Sequence, residues 1–98
     1  MIKQKGQLFK LREQIKYQFI SIYNPNYLTD YCEDEVRITS GDIGMFIGEL
    51  AVPWAVVVKS GYCLGPNDKY LMFEVYLFGD KVLQMEREHA RNALEILK

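Results

Sequence analysis

The sequence predicts a mainly-β domain that ends in one short α-helix. Short segments rich in β-branched and aromatic residues show the alternation of apolar and polar positions that is typical of strands. Glycine, proline and asparagine separate these segments at the short intervals found in small sandwiches and barrels. A chain of 98 residues is long enough for one core, and two half-size cores would be unstable. We therefore expect residues 1–98 to form a single domain.

The N-terminal half contains the first group of predicted strands. Asn24 and Pro25 end the second of them, and the acidic stretch that follows predicts a loop. Gly44 and Gly48 interrupt the fourth, where glycine marks a bulge or a bend. The expected strands cover residues 6–12, 15–23, 36–39 and 43–50.

The C-terminal half predicts further strands and then the helix. Pro53 is expected to begin a strand that runs to Leu64, and a turn follows over residues 65–68. Residues 70–78 predict the longest strand, which a two-residue Gly-Asp connector joins to a strand over residues 81–85. The remaining segment predicts a helix over residues 86–97, with one apolar stripe formed by Ala90, Ala93, Leu94 and Leu97.

Two segments together resemble a known family. The spacing Val36-x-Ile38-x-x-Gly41-x-x-Gly44 resembles the KOW-type corner of Src-homology-3-like (SH3-like) barrels, and residues 73–83 resemble their last hairpin. Small barrel proteins of tailed bacteriophages are similar in the same way. The resemblance implies a phage-encoded barrel of five to six strands over about residues 6–85. Residues 16–35 would then be an N-terminal β insertion that is particular to this chain.

Charge argues against a general nucleic-acid binder, although a local basic patch stays open. The net charge is −1, whereas phosphate contacts usually require a basic surplus. Arg37 is the one basic residue left near the KOW-like corner, with Asp42 and Glu49 close to it in sequence. A KOW-like module acting on transcription would have to gather its cations on one face beside stacking tyrosines. The candidates are Lys10, Arg12, Lys16, Arg37 and Lys59.

No spacing in the sequence predicts a catalytic, cofactor or metal site. The acidic cluster at residues 30–35 lacks the glycine and the closing glutamate of a calcium loop. His89 with Cys32 and Cys63 shows neither CxxC nor HxxxH spacing. We expect the two cysteines to be buried free thiols, with pairing as the alternative. A Cys–His enzyme is the last alternative, and we predict a protein that is not an enzyme.

The strand over residues 70–78 is apolar on both faces, and two explanations stay open. Either the helix and residues 16–35 cover its second face as an additional small core, or that face is a protein interface. The second explanation predicts self-association or a protein partner. The candidate contacts are Trp54, Tyr70, Met72, Tyr76 and Phe78.

Together these features predict a non-catalytic protein-binding domain. The two variants are an inhibitor or modulator of a host protein and a component of virion assembly. No apolar run approaches the roughly 20 residues that span a bilayer, and no signal-type stretch follows Met1. We therefore expect the cytoplasm, of a host cell if the protein is phage-encoded, or the virion.

Overall fold

The computed structural model describes residues 4–23, 34–53 and 70–97. In these ranges the chain forms strands and one short helix, and this predominance of strands confirms the mainly-β prediction. The elements are β1 (Leu8–Leu11), β2 (Tyr17–Ile22), β3 (Glu35–Thr39), β4 (Ile43–Pro53), β5 (Tyr70–Phe78), β6 (Lys81–Glu86), α1 (Arg87–Ala93) and β7 (Leu94–Ile96).

The seven described strands form one antiparallel sheet in the order β3-β2-β6-β5-β4-β1-β7. The expected count of five to six strands is wrong, and the sheet is open, with β3 and β7 at its two edges. The SH3-like barrel is therefore not confirmed. One added strand is β2, which lies in the segment interpreted as an insertion. It pairs with both β3 and β6 and so belongs to the sheet itself.

The larger core lies on one face of the sheet, which we call the inner face. Strands at both edges contribute to this single cluster, with Ile38 from β3 and Leu94 from β7, so the sheet must curl around it. Curling buries apolar side chains of every described strand on one side without closing the barrel. The buried members are Phe9, Leu11, Ile20, Ile38, Phe46, Tyr76, Phe78, Leu83, Met85, Ala90, Ala93 and Leu94.

A β-bulge in β4 creates a second, smaller cluster on the opposite, outer face. Phe46 is paired with Tyr76 and faces inward, and the register with β5 shifts between Phe46 and Gly48. Because one extra residue reverses the facing of all that follow, the later even-numbered residues of β4 face outward. Val52 consequently packs with Leu71 and Phe73. The predicted glycine-associated bulge is confirmed at Gly48.

The bounds of β4 differ from those expected. Pro53 belongs to this strand and is paired with Tyr70, whereas we expected it to begin the next one. With eleven residues β4 is also longer than β5, which has nine. The strand and turn expected between Trp54 and Asp68 lie outside the described residues.

The helix ends earlier than its apolar stripe suggests. Ala90 and Ala93 are buried as expected, but Leu94 has extended angles, φ −109° and ψ 146°. Leu94 then pairs with Leu11, and Ile96 with Phe9, in the ladder between β7 and β1. The prediction of a helix to residue 97 is therefore wrong, because a free edge on β1 offers these residues strand partners.

Candidate interaction surface

Two exposed aromatic side chains stand on the outer face of β2. Alternation along the strand turns Ile20 into the core and Tyr17 and Phe19 outward, each 51% exposed. Their rings meet edge to face, with centroids 5.7 Å apart and an interplanar angle of 81°. This is a favourable aromatic geometry, and it holds both rings in place at the surface.

Arg37 completes this group from the neighbouring strand. It is the register partner of Phe19 across the β2–β3 ladder, so both side chains stand on the same face. Its guanidinium carbon lies 5.7 Å from the centroid of the Tyr17 ring, within the range of a cation–π contact. We call Tyr17, Phe19 and Arg37 the aromatic patch. The sheet edge thus presents two rings and one cation together.

The same outer face carries an apolar row across four adjacent strands. Leu8 is paired with Met45, Met45 with Leu77, and Leu77 with Val82, so their side chains follow one another across the sheet. Leu8 is exposed, whereas the other three are half-buried. Interfaces are typically built around such partly covered apolar side chains.

The predicted contact residues of β5 fall into two groups. Tyr76 is only 1% exposed and Phe78 is buried beside it, both within the inner core. Their burial supports the explanation of internal packing for that face. Tyr70, by contrast, is 59% exposed, and Met72 is half-buried. An interface role for these two stays a prediction, and Trp54 lies outside the described residues.

The predicted basic residues do not gather in one described cluster. Lys10 on β1 forms ion pairs with Glu95 at 3.6 Å and Glu13 at 3.9 Å. The Arg12 guanidinium donates to the carbonyl of Arg91 at 3.5 Å.

Lys16 and Arg37 are placed differently from these two. Lys16 is exposed, but it directly precedes Tyr17 in the ladder and so does not share its face, whereas Arg37 lies over the Tyr17 ring. Lys59 lies outside the described residues.

A buried carboxylate lies within the inner core. Glu74 is 3% exposed, and its Oε1 accepts a hydrogen bond of 2.8 Å from the Tyr76 hydroxyl. Burial, followed by this bond and the charge of Glu74, raises the pKa of the Tyr76 phenol far above its ordinary value. Tyr76 therefore stays a neutral donor, and the pair lies inside the protein, away from the surface that a partner would reach.

The remaining candidates for metal or thiol chemistry do not converge in the described ranges. His89 contributes its backbone N–H, which donates to Glu86 Oε2 at 3.0 Å and so caps the helix. Among residues 4–23, 34–53 and 70–97, no three His, Cys, Asp or Glu side chains are placed to hold a metal ion. Cys32 and Cys63 lie outside these ranges. The one helix described there is too short to cross a membrane.

A groove of about 290 Å³ lies beside β3. Its walls are β3 on one side and, on the other, the start of β4 and the turn between β5 and β6. Val36, Ile38, Phe78 and Leu83 give it apolar walls, and Asp42, Asp80 and Lys81 add charged groups. The groove marks the place where the curled sheet stays open.

The sequence of β2 does not by itself place Tyr17 and Phe19 at the surface. In the sequence, Tyr17 and Phe19 continue an apolar alternation that begins at Ile15, and apolarity alone places such positions inward. The structure instead buries the face that carries Ile20. Arg37 lies opposite Phe19 across the β2–β3 ladder, and this charged neighbour marks the face of Tyr17 and Phe19 as the exposed one. The pairing of Phe19 with Arg37 follows from the strand register, which the sequence of β2 alone does not give.

Comparisons of the chain with models of known protein families, with curated proteins and with solved structures give no match.

Proposed function

We propose that this chain is a non-catalytic protein-binding domain whose contact surface is the outer face around the aromatic patch. The observation that carries the proposal is the exposure of Tyr17 and Phe19 side by side, with the Arg37 guanidinium over the Tyr17 ring. Tyrosine, phenylalanine and arginine are enriched at protein interfaces, and tyrosine and arginine especially among residues that dominate binding energy.

The energetic argument rests on what a partner would remove from water. Covering two half-exposed aromatic rings removes a large apolar area at little entropic cost, because the edge-to-face contact already restricts both side chains. Arg37 adds a directional donor that the ring of Tyr17 already orients. The apolar row on the same face extends the area that a partner can bury.

The narrower proposal, a phage protein that modulates a host protein or joins a virion, rests on the resemblance of the glycine corner and the last hairpin. It predicts that the partner is a protein of the infected cell or of the particle. Both variants use the same outer face, so one set of surface variants tests them.

A second candidate function, binding of single-stranded nucleic acid, is favoured by one observation. Arg37 lies over the ring of Tyr17, which meets the exposed ring of Phe19, and exposed aromatic rings beside cations can stack bases. The ion pairs of Lys10 with Glu13 and Glu95 argue against a wider basic track. Binding through so few cations would be weak and strongly dependent on salt.

The test compares partner capture by the wild-type chain with capture by Tyr17→Ser and Phe19→Ser variants. Each variant is expected to lose the partner while keeping the wild-type fold, since both side chains lie at the surface. Ile22→Ser is the matched control and is expected to keep the partner, because Ile22 is an exposed apolar residue of the same strand on the inner face. Equal capture by all four proteins would refute the aromatic patch as the contact surface.

Fluorescence anisotropy with single-stranded oligonucleotides separates the second candidate. The protein-binding proposal expects no binding at 150 mM salt, near physiological ionic strength. Tight binding that weakens steeply as salt rises, and that is lost in Phe19→Ser, would replace this proposal with the nucleic-acid function.

A further inference from the structure

The hydrogen bonds at the two ends of the β2–β3 ladder show which backbone groups of β3 bond to β2 and which point away from it. Ser40 N–H donates to Lys16 O at 3.0 Å, and Ile22 N–H donates to Asp34 O at 2.9 Å. In an antiparallel pair, hydrogen-bonded and non-bonded positions alternate strictly. Even-numbered residues of β3 therefore bond to β2, whereas the N–H and C=O groups of Glu35, Arg37 and Thr39 point to the free edge.

The far end of this edge is already occupied from within the chain. Thr39 N–H donates to Asp42 Oδ2 at 2.8 Å, and Asp42 N–H donates to Thr39 O at 3.0 Å. In the described ranges, no residue bonds to the outward groups of Glu35 and Arg37. These two residues leave two donors and two acceptors to which another strand can bond.

We propose that a second copy of this chain docks there, β3 against β3 in antiparallel orientation, with Glu35 of each copy opposite Arg37 of the other. Two such pairs use all four outward groups of each copy in four backbone hydrogen bonds. The Glu35 and Arg37 side chains both stand on the outer face, so each pair also joins opposite charges.

Charge selects this register over its neighbours. Sliding one copy along the other to the next register with the same hydrogen-bonding pattern places Arg37 opposite Arg37 in one direction and Glu35 opposite Glu35 in the other. Like charges directly opposite one another are destabilising. The first of these shifts also requires the groups of Thr39 that Asp42 occupies. The proposed register avoids both the like-charge pairs and the occupied Thr39 groups, so this strand edge is complementary to itself.

The surroundings of the edge fit a second strand. The two-fold axis passes between Val36 of the two copies, a non-bonded position at which side chains come closest. Val36 is half-buried against the inner core and lines the groove beside β3. Pairing therefore covers apolar surface at the open side of the sheet and removes an exposed edge, which is a liability for any β protein.

This inference goes beyond the proposed function and does not depend on it. Because Arg37 belongs to both surfaces, the dimer would place the aromatic patches of the two copies side by side on one continuous outer face. A dimer would thus offer a partner two patches, and loss of the dimer would leave each single patch intact.

The first measurement is the solution mass of the full chain by light scattering over a range of concentrations, at 150 mM salt. The expected mass is twice the chain mass of 11.5 kDa. Glu35→Arg and Arg37→Glu each place like charges opposite one another twice, so each is expected to raise the dimer dissociation constant roughly tenfold or more. The double variant restores opposite charges and is expected to restore the dimer.

Lys5→Glu is the matched control for Arg37→Glu, since it makes the same change of net charge at an exposed residue before β1. It is expected to leave the dimer unchanged. Amide hydrogen exchange gives a second readout at the backbone. Protection of the Glu35 and Arg37 amides is expected to rise with protein concentration, whereas the Val36 and Ile38 amides bond to β2 in monomer and dimer alike.

Three results would overturn the inference. One is a monomer at every concentration with constant exchange at Glu35 and Arg37. Another is a dimer that tolerates both single charge reversals, which would place its interface elsewhere. The third is a double variant that stays as monomeric as the single variants. A monomer that still captures a partner through the aromatic patch would reject the dimer and leave the proposed function standing.

Discussion

Gly44 lies directly against the aromatic ring of Phe78. A Cβ atom at position 44 would overlap the ring carbons of Phe78, so the close approach of β4 to this side chain requires a glycine. Gly48, four residues along the same strand, has no heavy atom within 4 Å of the place where its Cβ would lie. The two glycines of β4 therefore have different roles, one in packing and one at the bulge.

Replacing Gly44 with alanine is expected to lower the free energy of unfolding by about 1–3 kcal/mol, because the added methyl group overpacks the core at Phe78. Urea denaturation of the wild type and the variant measures the difference. Gly48→Ala is the control on the same strand and should change stability far less. A Gly44→Ala variant as stable as Gly48→Ala would show that Phe78 can move away.

The hydroxyl of Tyr76 should matter for stability in a way that depends on pH. Tyr76→Phe removes one donor from the buried Glu74 carboxylate, which should cost about 1–3 kcal/mol near neutral pH. Because the folded-state pKa of Tyr76 is raised, the folded chain holds this proton after the unfolded chain has begun to lose it. The contribution is therefore complete below about pH 10 and is lost as pH rises beyond that value.

Urea unfolding between pH 8 and pH 11 checks this prediction. The wild type should lose more stability than Tyr76→Phe as the pH rises, so the two curves converge. Tyr17→Phe is the control, because Tyr17 lies at the surface. If its curve differs from that of the wild type as much as the Tyr76→Phe curve does, the buried pair is not the cause.

Ile20 and Ile22 offer a matched pair on the inner face of one strand. Ile20 is 3% exposed inside the core cluster, whereas Ile22 is 38% exposed near the end of β2. Ile20→Ala should lower the free energy of unfolding by about 2–5 kcal/mol, and Ile22→Ala should lower it by much less. Equal losses in thermal or urea unfolding would show that the exposed end of β2 is covered in solution.

Local patterns predicted the elements of this fold better than their arrangement. The turn at Ser40 and Gly41, and the hairpin at Gly79 and Asp80, depend on residues that favour tight turns, and both are found where expected. Gly41 and Gly79 have φ of +90° and +65°, which suit glycine far better than other residues. Short-range conformational preference was sufficient at these positions.

The errors occurred where pairing decides the structure. Leu94 and Ile96 continue the spacing of the helix, and only the free edge of β1 makes them a strand. In the same way, the facing of Tyr17 and Phe19 depends on the ladder between β2 and β3. Contacts between residues far apart in sequence leave no local signal, which is why the aromatic patch could not be assigned to the surface from its own strand.

The junction between β6 and the helix depends on Glu86. Its carboxylate accepts the His89 N–H at 3.0 Å and so caps the first turn of α1. The helix has only seven residues, too few to be stable without its cap and its buried alanines. It also leads directly into β7, so loosening the helix should weaken the pairing of β7 with β1.

Glu86→Ala is expected to lower the free energy of unfolding by about 0.5–2 kcal/mol, since a cap is lost, and Glu86→Asn should recover part of it. Amide exchange should quicken first at Leu94, whose N–H bonds to the Ala90 carbonyl at the end of the helix. Glu88→Ala is the control, because the ion pair of Glu88 with Arg91 is exposed and its loss should change stability less. Unchanged exchange at Leu94 in Glu86→Ala would mean that pairing with β1 holds β7 independently of the helix.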